Sequence, residues 1–139
     1  MRGDEQLCDW LAKSALASVH VLIAWDAGLT DRGAHAICEA RPAALASIDL
    51  SWNHVGPEGA AAVARRARPL HGLNLCGNRL GDDGAAALCA PRLAALRELA
   101  LGWNEIGDGG ARALAAGAWP ELGFLNIRAN QLPPGATAM

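Results

Sequence analysis

Apolar positions recur along this chain with two alternating periods. From Leu45 it reads LASIDLSWNHVGPEGAAAVA, from Leu70 LHGLNLCGNRLGDDGAAALC and from Leu96 LRELALGWNEIGDGGARALA. In the first of these, Leu45, Ile48 and Leu50 are apolar, with Ser47, Asp49 and Ser51 between them. That alternation predicts a short half-buried strand. An Asn and an aliphatic residue follow, and then a helix start. Gly56-Pro57-Glu58 sets Pro in the first helical turn with an acid beside it, which suits the free N–H groups and the dipole. Asp31, Asp82 and Asp108 stand where Pro57 does. The helix continues through Gly59, Ala60, Ala62 and Val63, small residues that let it lie close to a strand layer. A divergent copy, VHVLIAWDAGLTDRGAHAIC, begins at Val19, and a shorter one, LGFLNIRANQLPPG, at Leu122. The copies start 26, 25, 26 and 26 residues apart, so they share one phase and form an internal repeat.

A strand and a helix in about 26 residues cannot bury their own apolar faces, but stacked copies share a continuous core and a parallel sheet. Helices are wider than the ~4.8 Å strand spacing, so the stack must curve with the strands on its concave side. The expected fold is an α/β right-handed solenoid over residues 19–139, preceded by a capping helix within residues 1–18. Leu7, Trp10, Leu11 and Ala15 give that helix its apolar spacing. At the other end, Pro133, Pro134 and Gly135 follow Leu132, and the last copy has a strand but no helix. The strand around Phe124 to Ile127 is therefore expected to fray or to pair edge to edge with a second copy.

The pattern LxxLxLxxN, met at Leu45, Ile48, Leu50 and Asn53, resembles the leucine-rich repeat family. The helical GAxALA run is similar to ribonuclease-inhibitor-type repeats and most closely to the GALA repeats of bacterial type III effectors. The resemblance covers about residues 19 to 139. It implies a protein-binding module. Its second implication is a segment of a type III effector, linked to ubiquitin ligation, whose activity lies in a domain outside this sequence.

Composition narrows the alternatives. Twelve basic against 14 acidic side chains leave a charge of −2, which gives no footprint for nucleic acid or for an anionic membrane. Ala, Gly and Arg are abundant and Lys13 is the only lysine, a composition associated with GC-rich bacterial genes. The start, MRGDEQLCDW, is acidic where a secretory signal is basic. The stretch Ala15 to Ala24 is broken by Ser18 and His20 and falls short of the ~18 apolar residues of a membrane span. A soluble, cytoplasmic chain is expected, or one delivered into a host cell if it is an effector.

Candidate chemistry is sparse. Cys8, Cys38, Cys76 and Cys89 form neither CxxC nor a zinc-ligand spacing. Cys38 and Cys89 align with Ala64 and Ala115 and are read as packing residues, whereas Cys76 is placed toward the concave side and more exposed. His35 and Glu39 are four apart on a helix without an evident third ligand, so they are read as a solvated ion pair. Arg65, Arg66 and Arg68 are read as a solvated helix end. Asp49, Ser51 and His54 hold triad residue types, but His54 lies beyond the strand and no GxSxG is present. Gly107-Asp108-Gly109-Gly110 matches no phosphate loop. No catalytic residue, metal or cofactor is expected.

Two groups of residues remain. Asn53, Asn78, Asn104 and Asn130 occupy one column, as a structural ladder that bonds the neighbouring turn's backbone. Ala27 holds that position in the first copy. The concave face carries varied rows: Val21, Ser47, Gly72, Glu98 and Phe124; then Ile23, Asp49, Asn74, Ala100 and Asn126; then Trp25, Ser51, Cys76, Gly102 and Arg128. Trp52 and Trp103 stand beside the third row with Gly77 between them, which allows a slot near 10 Å wide. Either these tryptophans bind, or they fold over the strand edge into the core. A protein partner is expected to contact Trp25, Trp52, Trp103, Asp49, Asn74, Glu98 and Arg128.

Overall fold

The structure is a computed structural model and describes residues 2–13, 16–66 and 69–132. Helix α1 (Arg2–Lys13) comes first. Strands β1 (Val21–Ile23), β2 (Ser47–Asp49), β3 (Gly72–Asn74), β4 (Glu98–Ala100) and β5 (Phe124–Asn126) then alternate with helices α2 (Asp31–Ala40), α3 (Pro57–Ala64), α4 (Gly81–Ala87) and α5 (Asp108–Ala116). A 3₁₀ turn at Pro91–Leu93 leads into β4. The strands form one parallel sheet in chain order, with Val21, Ser47, Gly72, Glu98 and Phe124 in register. Each helix packs against the next, and α1 packs against α2. This is an α/β solenoid.

The alternation of the sequence sets the layers. Ile48, Leu73 and Leu99 point inward from mid-strand and are buried. Leu50, Leu75 and Leu101 follow in the same inner layer, closed by Leu29, Val55, Leu80 and Ile106 ahead of the helices. Burying each Leu or Ile contributes about 1.5–3 kcal/mol. On the helix side there is little room: a Cβ at Gly59 would lie 2.6 Å from both Val55 Cγ1 and Asp31 Oδ1.

The buried Asn side chains cross from repeat to repeat. Asn53 Nδ2 donates to Ala24 O at 2.8 Å and Leu50 O at 2.9 Å, while its Oδ1 accepts from Ala27 N and Leu29 N, both at 3.0 Å. Asn78 Nδ2 donates to Leu50 O and Leu75 O, and Asn104 Nδ2 to Leu75 O and Leu101 O. Asn130, half-buried, reaches Leu101 O and Ile127 O and accepts from Asn104 N and Ile106 N.

A second ladder links the helix starts. Asp31 does more than sit at the first turn of its own helix: its Oδ1 accepts from Gly56 N at 2.6 Å and Gly59 N at 2.9 Å in the next repeat. Asp82 Oδ1 accepts from Gly107 N at 2.6 Å in the same way. Buried Asp4 of α1 accepts from Thr30 N at 2.8 Å and Thr30 Oγ1 at 2.5 Å. Pro57 breaks the series. The following helix start then differs: Gly81 takes a left-handed φ of +59° and its N–H donates to Asn104 O.

Several expectations need correction. Arg66 is buried, with its guanidinium donating to Pro42 O and Leu45 O, so the end of α3 is only partly solvated. Arg68 lies outside the described residues, as do Ala15, Pro133, Pro134 and Gly135. Trp10 is 47% exposed, whereas Leu11 beside it is buried. Cys76 is buried, as are Ser51 and Gly102 beside it in the third row, whereas Trp25 and Arg128 at the ends of that row are exposed.

Candidate partner-binding face

The sheet's outer face is a shallow hollow of about 270 Å³, lined by Val21, Ile23, Asp49, Asn74, Glu98 and Phe124 among others. Its polar residues divide by what they touch. Asp49 Oδ1 accepts from Ser51 N at 2.8 Å and Ser51 Oγ at 2.6 Å, and its Oδ2 accepts from Asn74 Nδ2 at 3.2 Å. Asn74 Oδ1 accepts from Cys76 N at 3.1 Å, and Asn126 Oδ1 from Arg128 N at 3.1 Å. An acceptor side chain bonding the amide two residues on is an Asx-type turn. Asp49 and Asn74 therefore hold the exits of their strands and face solvent only in part. Glu98 and Trp25 are exposed in the fourth and first repeats.

At the edge of this face the backbone is left-handed in every repeat. Asp26, Trp52, Gly77, Trp103 and Ala129 share one column, with φ of 48°, 57°, 68°, 52° and 53°. Amides of this column donate to the next repeat: Trp52 N to Cys76 O, Gly77 N to Gly102 O and Trp103 N to Arg128 O. Those bonds, with the Asn ladder one residue later, hold a conformation that costs a non-glycine residue about 1–3 kcal/mol. No residue-type signal marks this column in the sequence except Gly77.

The two tryptophans meet. A Cβ at Gly77 would overlap the Trp52 ring, so only glycine lets that ring lie across the third repeat. The Trp52 and Trp103 centroids are 5.5 Å apart, tilted by 47°. This closes the slot expected from two strand spacings. The rings are 50% and 38% exposed, so neither has folded into the core. Arg128 completes the cluster: its stem passes over Gly102, and its guanidinium lies 4.2 Å from the Trp103 centroid. Such a stack contributes about 0.5–1 kcal/mol when exposed.

The remaining candidates do not converge. Ser51 is buried with its hydroxyl on Asp49, while His54 is exposed and its N–H donates to Leu29 O. His35 Nε2 and Glu39 Oε1 are 3.5 Å apart on the surface of α2. Among the described residues no three His, Cys, Asp or Glu side chains gather as metal ligands. The four cysteines are free thiols. Burial pushes the Cys38 thiol up to about 11 despite nearby Arg66 and Arg65, and raises Cys76 and Cys89 as well. Thiols so shifted stay protonated at neutral pH and are weak nucleophiles. Among the described residues no helix is long and apolar enough to cross a membrane.

A family model described as Leucine Rich repeat matches residues 45–64, 67–89 and 95–115. These three segments are leucine-rich repeats. They contain β2 to β4, α3, α4 and all but the last residue of α5; the strand–turn–helix order is repeated at β1 and α2 before them, and the sheet continues to β5 after them. Leucine-rich repeats generally bind other proteins, and typically without catalysing a reaction. No curated protein matches the chain.

Proposed function

We propose that this leucine-rich repeat chain is a non-catalytic module that binds a protein partner through its strand-lined face and the tryptophan edge beside it. One observation carries the reading. Trp52 and Trp103 stand at left-handed positions where glycine is conformationally easier, and both keep their rings at the surface. Strain held at a bulky, exposed residue points to use of its side chain. Exposed Trp and Arg are also the side chains most enriched among energetic anchors of interfaces. Trp25, Glu98 and Arg128 extend the surface, with Asp49 and Asn74 contributing through their solvent-facing sides.

Affinity capture with the purified chain identifies the partner, and titration calorimetry with variants then tests the face. Trp52→Ala and Trp103→Ala should each weaken binding by about 2 kcal/mol. Arg112→Ala, on exposed α5, should change it little. Loss of binding in Arg112→Ala with both tryptophan variants silent would reject the assignment.

The Gly-Ala starts at Gly59-Ala60, Gly84-Ala85 and Gly110-Ala111 favour a second reading. In it the repeats are of the ribonuclease-inhibitor-like, GALA type and belong to a bacterial type III effector, with any ubiquitin-ligase activity in another domain. A longer reading frame carrying an F-box or ligase domain would support it; partner binding by this chain alone supports the first.

A further inference from the structure

A second site lies away from the strand-lined face, at the carboxyl ends of α2 and α3. A cavity of about 190 Å³ is lined there by Arg41, Arg65, Arg66 and Arg92, with His35, Cys38 and Glu39 also in its lining. Four of the chain's 12 basic side chains thus meet at one hollow of a protein whose net charge is −2. They come from three successive repeats, so no local charge run in the sequence explains the gathering.

Two of the arginines donate to backbone carbonyls. Arg66 is 6% exposed, and its guanidinium donates to Pro42 O and Leu45 O. Arg92 Nη1 donates to Arg65 O, the carbonyl that ends α3. Arg41 ends α2 with a left-handed φ of 48°, at a position where glycine is usual. Among the described residues no carboxylate lies within ion-pair distance of Arg41, Arg65 or Arg92. Glu39 is the only acid among the described residues that line the cavity, and it pairs with His35.

Helix ends account for single arginines here but not for the sum. Two helix carboxyl ends supply about −0.5 each and Glu39 supplies one charge, so Arg41, Arg65 and Arg92 alone leave about one positive charge uncompensated, before Arg66 is counted. A phosphate group carries about −1.5 to −2 at neutral pH. Guanidinium forks match its oxygens in pairs, and arginine is favoured over lysine wherever that geometry matters. The volume holds one tetrahedral oxyanion with a few waters, at roughly 30 Å³ per water.

We propose that the cavity formed by Arg41, Arg65, Arg66 and Arg92 is a binding site for a phosphate group, either free phosphate or a phosphomonoester. Titration calorimetry in low-salt, phosphate-free buffer tests it with two probes, inorganic phosphate and O-phosphoserine. Saturable one-site binding of either is the expected result. Equal affinity for the two identifies the free ion as sufficient, and tighter binding of O-phosphoserine identifies the ester as the source. In the Arg41→Gln, Arg92→Gln double variant the affinity should fall about tenfold or more, while Arg112→Gln should leave it unchanged. Circular dichroism checks the fold of the double variant, and if it fails to fold, Arg65→Gln alone, at an exposed position, must produce the loss. Absence of saturable binding by the folded chain, or binding that the arginine variants do not weaken, overturns the proposal. Trp52→Ala should leave phosphate binding intact, so this site and the partner face fail or stand separately.

Discussion

Leu22 in β1 and Leu125 in β5 occupy the same column as Ile48, Leu73 and Leu99, at opposite ends of the sheet. Leu22 is half-buried and packs against the core; Leu125 is 46% exposed. The amino end owes its cover to α1, which buries Leu11 against α2 and sets Asp4 on the start of that helix through Thr30. At the carboxyl end β5 pairs with β4 on one side and, among the described residues, with no strand on the other. A repeat unit thus carries the pattern for burial but not the burial itself, which each unit receives from its neighbour. Asp4 of α1 serves Thr30 as Asp31 serves Gly56.

The largest test of this difference is one substitution made twice. Leu99→Ala, mid-stack and fully buried, should cost about 2–5 kcal/mol in urea unfolding. Leu125→Ala should cost less than about 1 kcal/mol, because little apolar area returns to water. Equal costs would mean that β5 is covered in solution.

The Asn column gives a smaller contrast of the same kind. Asn78→Ala takes the acceptor from the buried Val55 N–H and one of two Asn donors from each of Leu50 O and Leu75 O, and should lower stability by about 1–3 kcal/mol. Asn130→Ala, half-buried at the end of the ladder, should cost less. An unchanged unfolding midpoint for Asn78→Ala would show that the ladder does not contribute.

Asp4→Ala should remove about 1 kcal/mol, the usual worth of a carboxylate or hydroxyl at a helix start. Its pH dependence identifies the cause. Burial by itself raises the Asp4 carboxyl, but hydrogen bonds from the Thr30 hydroxyl and amide, together with the charge and hydrogen bond of the amino terminus, outweigh it and hold the group below its ordinary 3.8. The unfolded chain therefore takes up the proton first as pH falls. The stabilisation is complete above the unfolded value and is lost as pH falls through the folded one. The difference between wild type and Asp4→Ala should be constant at neutral pH and shrink in acid. A constant difference down to strong acid would remove the carboxylate from the cap.

The smallest expected effect is kinetic. Leu75 N–H and Leu101 N–H donate to the next strand, and Ile127 holds the corresponding place beyond β5. Its amide should exchange with solvent faster than theirs. We propose that the same edge lets two copies associate, and light scattering with Leu125→Lys as the comparison decides. A strict monomer with a protected Ile127 amide would reject both.

Much of this architecture is readable from residue order. The alternation at Ile48 and Leu50 and the common phase of the copies predict strand, turn and helix, because one-sided burial imposes a local period that any stretch of chain displays. The partner face is less legible. The column shared by Trp52, Gly77 and Trp103 is visible, but its left-handed backbone is not, since one glycine among Asp, Trp and Ala gives no consistent mark. The slot between the tryptophans was a matter of strand spacing, whereas the contact depends on a side chain lying across a glycine in the intervening repeat.

The sequence by itself determined the period, the inner columns and the order of strand and helix, all of which follow from contacts within one repeat. Tertiary structure alone decided which groups meet across repeats. An Asp at a helix start has the same spacing whether it serves its own helix or the next, and stacking placed the Asp31 carboxylate on Gly56 and Gly59. An arginine after a helix has the same sequence whether it is solvated or buried, and stacking drew Arg66 beneath Pro42 and Leu45 and brought Arg41 and Arg92 to the same cavity. These contacts join residues 21 to 28 positions apart. Their geometry is set by the curvature and offset of the stack, which exist only once the copies have packed.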